Sequence, residues 1–255
     1  MKRRILSVVA AILVLGSSST SAQNQKEISV LASVLFKPAL DKLIPGFESK
    51  TGYKVNFTWG SGVTARERVA SGEIFDASIV FAPFTEALAS GQVVISSATT
   101  LAGIKLSVTV RQGTPKPDIS TLEAVKRTLL NAKSITYVDP ARGTIGQNAL
   151  ATVQRLGLVE QLRSKTVLAT GGGNAQELAA KGAVEINLGP YFNDELVPGV
   201  ERVGALPRNV STPTAIVGLI GIHAKDPAAA KALLDYLSSA EANAVYKEIG
   251  MEPVP

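Results

Sequence analysis

The stretch Ile28–Gly62, ISVLASVLFKPALDKLIPGFESKTGYKVNFTWGSG, decides the fold. Ile28–Ala32 is a short apolar strand, Phe36–Ser49 repeats its apolar residues at helical spacing, and Lys54–Trp59 alternates like a second strand. Both strands end in small or hydroxyl residues, Ala32-Ser33 and Gly60-Ser61-Gly62. Ligands of open α/β sheets sit outside the carboxyl ends of strands, where helix N-termini offer backbone N–H groups. Ser33, Ser61 and Gly62 are therefore candidate contacts for a small anion.

The same strand–helix rhythm continues. Strands are expected near Ala77–Phe81, Ile104–Arg111, Ser134–Val138, Thr166–Leu168, Val184–Leu188, Glu201–Gly204 and Ala215–Ile222. Helices are expected near Thr64–Ser71, Phe84–Ser90, Ser120–Asn131, Thr144–Leu156, Asn174–Lys181, Pro227–Ser238 and Ala240–Ile249. Ser120 with Glu123 reads as a capping box, Asp226-Pro227 as an N-cap with proline in the first turn, and Gly157 and Gly182 as C-terminal stops. Alternation of this kind predicts βαβ units and mostly parallel sheets. Two apolar stretches, Gly103–Arg111 and Pro213–Ala224, interrupt the rhythm about a hundred residues apart. They read as strands crossing between two lobes, one formed by residues 23–105 and 218–255, the other by 106–217.

Upstream, Lys2, Arg3 and Arg4 precede the apolar run Ile5–Leu15 and the small residues Thr20-Ser21-Ala22. That is the layout of an export signal over residues 1–22, too short in its apolar part for the ~20 residues of a membrane span. The net charge of +5 falls to +2 without this segment, which removes the case for nucleic-acid binding. The absence of cysteine excludes disulfides and thiolate chemistry, and a single histidine, His223, argues against a His-based metal site or a Ser-His-Asp triad. No cofactor is expected.

Further strand ends carry similar chemistry. Val138-Asp139-Pro140-Ala141-Arg142-Gly143-Thr144-Ile145-Gly146 runs from a strand into a helix. Asp139 there suits a turn-bonding role, and Arg142 either a bidentate anion contact or a solvated charge. Thr170-Gly171-Gly172-Gly173-Asn174 lacks the spacing of a dinucleotide or P-loop motif and reads as a hinge or a backbone cradle. Asn187, Tyr191 and Asn193 follow the next strand. No carboxylate pair or G-x-S-x-G elbow suggests cleavage chemistry, so these residues read as equipment for binding.

Several segments together resemble one family: Pro38-Ala39-Leu40, Phe47-Glu48 with Thr51-Gly52, Ser61-Gly62, Ala70-Ser71-Gly72 with Asp76, Val138-Asp139-Pro140 with Gly146, Leu156-Gly157, and Ala232–Leu237 with Tyr246 and Gly250. Their order is similar to that of the periplasmic molybdate-binding proteins of ABC importers, within the type 2 periplasmic binding proteins. The resemblance implies a two-lobed fold with crossover hinge strands, a periplasmic monomer, a small oxyanion in the cleft and a membrane permease as partner. It implies main-chain ligand contacts at Ile145 and Asn174. Two side-chain donors of the family fall on Leu35 and Leu188, with Ser33 and Tyr191 nearby. These departures leave a small organic anion open as the ligand, and they leave open an alternative function, a periplasmic isomerase acting on a tricarboxylate such as aconitate on the same fold, which would also need a general base within reach of the migrating proton. A tricarboxylate would favour Arg66 or Arg142 and Lys37 as partners for its carboxylates.

Overall fold

The computed structural model describes residues 26–192 and 196–253, so the expected export segment and Asn193 lie outside the described residues. In chain order the first half contains β1 (Glu27–Ser33), α1 (Lys37–Thr51), β2 (Lys54–Gly60), α2 (Gly62–Ala70), β3 (Ala77–Phe81), α3 (Thr85–Ala89), β4 (Thr99–Ile104) and β5 (Leu106–Arg111). It continues through α4 (Leu122–Asn131), β6 (Ile135–Val138), α5 (Thr144–Arg155), α6 (Val159–Arg163), β7 (Thr166–Ala169), α7 (Gly172–Ala180), β8 (Ile186–Pro190) and β9 (Val200–Ala205). The chain then returns through β10 (Thr214–Ile220), α8 (Pro227–Leu237), α9 (Ala240–Glu248) and β11 (Glu252–Pro253).

These strands form two sheets, β11-β4-β10-β3-β1-β2 and β7-β6-β8-β5-β9. Both are mixed, which corrects the expectation of mostly parallel sheets. The βα units pair in parallel, β1 with β2 and β3, and β6 with β7 and β8. The strands on either side of the crossings run the other way, β10 against β3 and β4, and β5 against β8 and β9. The outward crossing is sharp: β4 ends at Ile104 in one sheet and β5 starts at Leu106 in the other. All of β10, from Thr214 to Ile220, pairs within the first sheet.

Period-two alternation places β1 between two apolar layers. Ile28, Val30 and Ala32 pack with Leu40, Leu43 and Phe47 of α1, whereas Leu31 packs with Ala65 and Val69 of α2. Gly157 and Gly182 stop their helices at positive φ, 72° and 69°. Asp226 caps α8 by accepting from the Ala229 N–H at 2.9 Å. Ahead of α4 the cap is Thr121, which accepts from the Ala124 N–H at 3.1 Å; Ser120 instead donates its N–H and hydroxyl to Asp118. The Asp118 carboxylate holds the turn one residue longer than the capping-box pattern implies. β4, α6 and β11 have no counterpart in the sequence reading. Among the described residues no helix is long and apolar enough to cross a membrane.

Asp76 ties this lobe together. Its buried carboxylate accepts from the Ser29 N–H (2.8 Å), the Ser29 hydroxyl (2.7 Å) and the N–H groups of Lys225 (2.6 Å) and Asp226 (3.3 Å). Burial pushes its pKa up, but these donors together outweigh it and hold the carboxyl below its ordinary value. A carboxylate depressed in the folded state stabilises fully above the unfolded value of about 3.9, and that contribution is lost as pH falls through the folded value. Asp76→Asn is expected to cost about 2 kcal/mol near neutrality by leaving donors unmatched, a fall in Tm of roughly 4–8 °C. Melting curves between pH 3 and 7 should show the gap to the wild type closing toward the acid end. A constant gap would contradict the assignment.

Candidate functional site

Four strand ends supply the candidate groups. Ser33 closes β1 and lies opposite Gly60 in register. It is fully buried, and its hydroxyl has no hydrogen-bond partner, an arrangement that buried polar groups rarely keep. Ser61 follows β2 as the N-cap of α2. Its Oγ accepts from the Thr64 N–H at 3.1 Å, and its hydroxyl donates to Thr64 Oγ1 at 2.9 Å. The capping lone pair is thus fixed, while the hydroxyl proton can turn from Thr64 to a ligand.

At the end of β6, Asp139 Oδ1 accepts from the Ala141 N–H at 3.0 Å, and its carbonyl accepts from the N–H groups of Arg142 and Gly143. This is the turn-bonding role expected for it. The turn delivers the chain into α5, where Thr144 and Ile145 are buried in the first turn. Gly146 is required by close approach: a Cβ there would lie 1.9 Å from the Val138 carbonyl oxygen. At the end of β7, Asn174 Oδ1 accepts from the Thr170 N–H at 3.1 Å, bracing the entry to α7. Gly172 and Gly173 line a cavity of about 430 Å³ with Leu35, Pro190, Phe192 and Val197.

The two lobes meet between the first turns of α2 and α5. A Cβ on Gly62 would lie 2.3 Å from Thr144 Oγ1 and 3.0 Å from Thr144 Cβ, so any larger residue would have to push the Thr144 side chain aside. Helix N-termini carry unsatisfied N–H groups and partial positive charge, and here two of them converge. One turn into α2, Arg66 crosses this boundary. Its Nη2 donates to Gln147 Oε1 at 3.1 Å, and its Nη1 makes long contacts with the Phe81 carbonyl (3.3 Å) and Thr144 Oγ1 (3.5 Å). Arg66 is 6% exposed, and among the described residues no carboxylate forms an ion pair with it. Burial lowers its pKa from the ordinary arginine value, partly offset by the charges of Glu86 and Glu67. A guanidinium always remains charged at neutral pH, so this site holds a buried cation whose partners are all neutral.

The remaining candidates lie apart from this group. Arg142 is exposed on the turn before α5. Lys37 is exposed, pairs with Asp41 at 2.7 Å and lies near the Trp59 ring. Tyr191 lines a different pocket, with Lys105, Arg208 and Glu252, and its ring is contacted by Lys105 and Arg202. Its neighbour Phe192 instead lines the cavity that Gly172, Gly173 and Leu35 share. Asn187 is buried in β8 and donates to Thr109 Oγ1 at 2.9 Å. A cavity of about 670 Å³ between α4 and the end of β5 is lined by Arg111 and Arg127 and contains none of the candidate residues. Gln147 was not anticipated; its position three residues after Thr144, on one helix face, is the only signal the sequence offers.

Comparison with known proteins agrees with this architecture. Aconitate isomerase of a Pseudomonas species is 28% identical over 253 residues, covering 97% of this chain and 95% of that protein. The molybdate-binding protein ModA of Azotobacter vinelandii is 25% identical over 236 residues, covering 90% of this chain and 91% of that protein. Among solved structures, the sulfate-binding protein SubI of Mycobacterium tuberculosis superposes with a TM-score of 0.72 at 16% identity, covering 90% of this chain and 87% of that chain, a likeness of fold alone. The α/β architecture, two lobes built on two mixed sheets, is that of the type 2 periplasmic binding proteins. The model of the bacterial extracellular solute-binding proteins matches residues 28–252, and the chain belongs to that family.

Proposed function

We propose that this protein binds a small polycarboxylate between its lobes and isomerises aconitate. The observation that carries the reading is Arg66, a buried cation at the junction of α2 and α5 with neutral partners only. A planar guanidinium matches a carboxylate in two parallel hydrogen bonds. In this reading Ser33, Ser61 and Gly62 line the cleft from one side, and Thr144, Ile145 and Asn174 from the other. The division of the chain near residues 105 and 206–213 then provides the hinge. The extensive similarity to an aconitate isomerase supports the same class of ligand.

Interconversion of the aconitate isomers removes a proton from the methylene carbon and returns one to the other end of the allylic system. Charge spreads onto a carboxylate as the proton leaves, and a fixed guanidinium there stabilises it. The reaction is redox-neutral, and between the two carbons the proton passes through a general base, a side chain or a bound water, within hydrogen-bond reach of both.

Convergent helix N-termini and hydroxyls favour a second reading, a periplasmic oxyanion receptor delivering its ligand to an importer permease. Thermal shift separates the two, since a ligand of the native state raises Tm with the logarithm of its concentration over Kd. With trans-aconitate and citrate, a rise of several degrees is expected at concentrations about 100-fold above Kd, with molybdate and sulfate giving none. Incubation with cis-aconitate, followed by chromatography, should yield the trans isomer. Shifts with molybdate alone would overturn the polycarboxylate reading, and binding without turnover would leave a receptor.

A further inference from the structure

We infer that Gln147 is a positioning residue for the bound anion: it aims the Arg66 guanidinium across the cleft and, because it is neutral, leaves that charge available to the ligand. The inference rests on the reading of the cleft as an anion site. Its basis is geometric. Gln147 lies on the second lobe, in the first turn of α5, while Arg66 lies on the first lobe, in α2. The shortest of the three contacts Arg66 makes is to Gln147 Oε1, 3.1 Å against 3.3 and 3.5 Å.

An arginine has five N–H donors in a fixed fork. The contacts to Phe81 and Thr144 use Nη1, and the contact to Gln147 uses Nη2. The Nε–H and the second Nη2–H remain, and Nε with Nη2 forms one bidentate edge for a carboxylate. Gln147 therefore fixes the plane of the fork through one hydrogen of Nη2. A carboxylate at position 147 would fix the same plane while cancelling the charge. Leu, Met or Ala would cancel nothing but fix nothing.

Two substitutions of similar size separate positioning from packing. Gln147→Glu places a carboxylate against Arg66. The ligand-free protein should melt about 2–4 °C higher, and its affinity for trans-aconitate should fall at least about 100-fold. Gln147→Met should melt within about 2 °C of the wild type and lose about 5- to 10-fold in affinity. A purely structural role would move stability and affinity in the same direction in both variants. Opposite signs in Gln147→Glu are the signature of a neutralised Arg66. The gain in Tm should vanish when Gln147→Glu is combined with Arg66→Met.

The experiment is calorimetric titration of trans-aconitate, and separately of sulfate, into the three proteins, with melting curves of each and of the double variant. Affinity in Gln147→Glu within about twofold of wild type would overturn the inference. If the wild type binds neither probe, the anion-site reading itself fails. The Arg66–Gln147 pairing is then judged on the ligand-free proteins, and a Tm gain in Gln147→Glu that survives loss of Arg66 rejects it.

Discussion

Arg66→Met is expected to weaken trans-aconitate binding at least about 100-fold while leaving the melting temperature within about 2 °C. Hydrogen bonds to charged groups are worth about 1.5–3 kcal/mol each, so losing a bidentate pair removes about 3–6 kcal/mol of binding, or two to four decades in Kd. Stability should hardly change, because the guanidinium is buried against neutral acceptors and, among the described residues, the charges of Glu86 and Glu67 offset its desolvation only in part. The lowered pKa of Arg66 has the same origin, burial outweighing the charges of Glu86 and Glu67. Arg66→Lys keeps the charge and loses the fork, and an intermediate loss of about tenfold is expected. Titration calorimetry and melting curves on the same preparations check both halves. A large fall in Tm with unchanged affinity would make Arg66 a structural residue.

Gly146→Ala should have the largest effect on stability. The added methyl meets the Val138 carbonyl oxygen at 1.9 Å and its carbon at 2.8 Å, and both are backbone atoms with no rotamer to give way. Relief requires α5 to lift from the end of β6. That disrupts the packing of Ile145 and Ala149 and displaces Thr144 from its contact with Gly62. A cost of about 3 kcal/mol or more is expected, a fall of roughly 6–12 °C, together with weaker anion binding. Gly171→Ala is the control. Its φ is −177°, extended backbone that any residue adopts, and nothing lies within 4 Å of the new methyl. It should stay within about 0.5 kcal/mol of the wild type. Equal melting temperatures for the two variants would show that the helix accommodates the methyl without moving.

The strand-to-helix turns were legible in the sequence because their determinants are local. Asp139 bonds the turn it occupies, Ser61 caps the helix it precedes, and Gly157 and Gly182 take up positive φ where the periodicity stops. The strands flanking the crossings were legible as apolar runs, but their direction was not. Hydrophobic pattern is the same for parallel and antiparallel pairing, so β10 and β5 gave no sign that they run against their neighbours. Leu35 and Tyr191 illustrate a similar limit. Proximity in sequence to a candidate position says nothing about which side of the backbone faces the cleft, and Phe192, not Tyr191, lines the cavity that Gly172, Gly173 and Leu35 share.

By itself the sequence determined the order of the elements other than β4, α6 and β11, and the glycines and hydroxyls at the strand ends, because each follows from short-range periodicity and turn chemistry. It could not choose among Arg66, Arg142 and Lys37. Within Thr64-Ala65-Arg66-Glu67-Arg68, Arg66 and Arg68 look alike, yet Arg68 pairs with Glu73 at the surface and Arg66 turns inward to the second lobe. Only the tertiary structure decided this. The burial of a charge depends on which face of α2 meets α5, and that contact joins residues 78 and 81 positions apart in the chain.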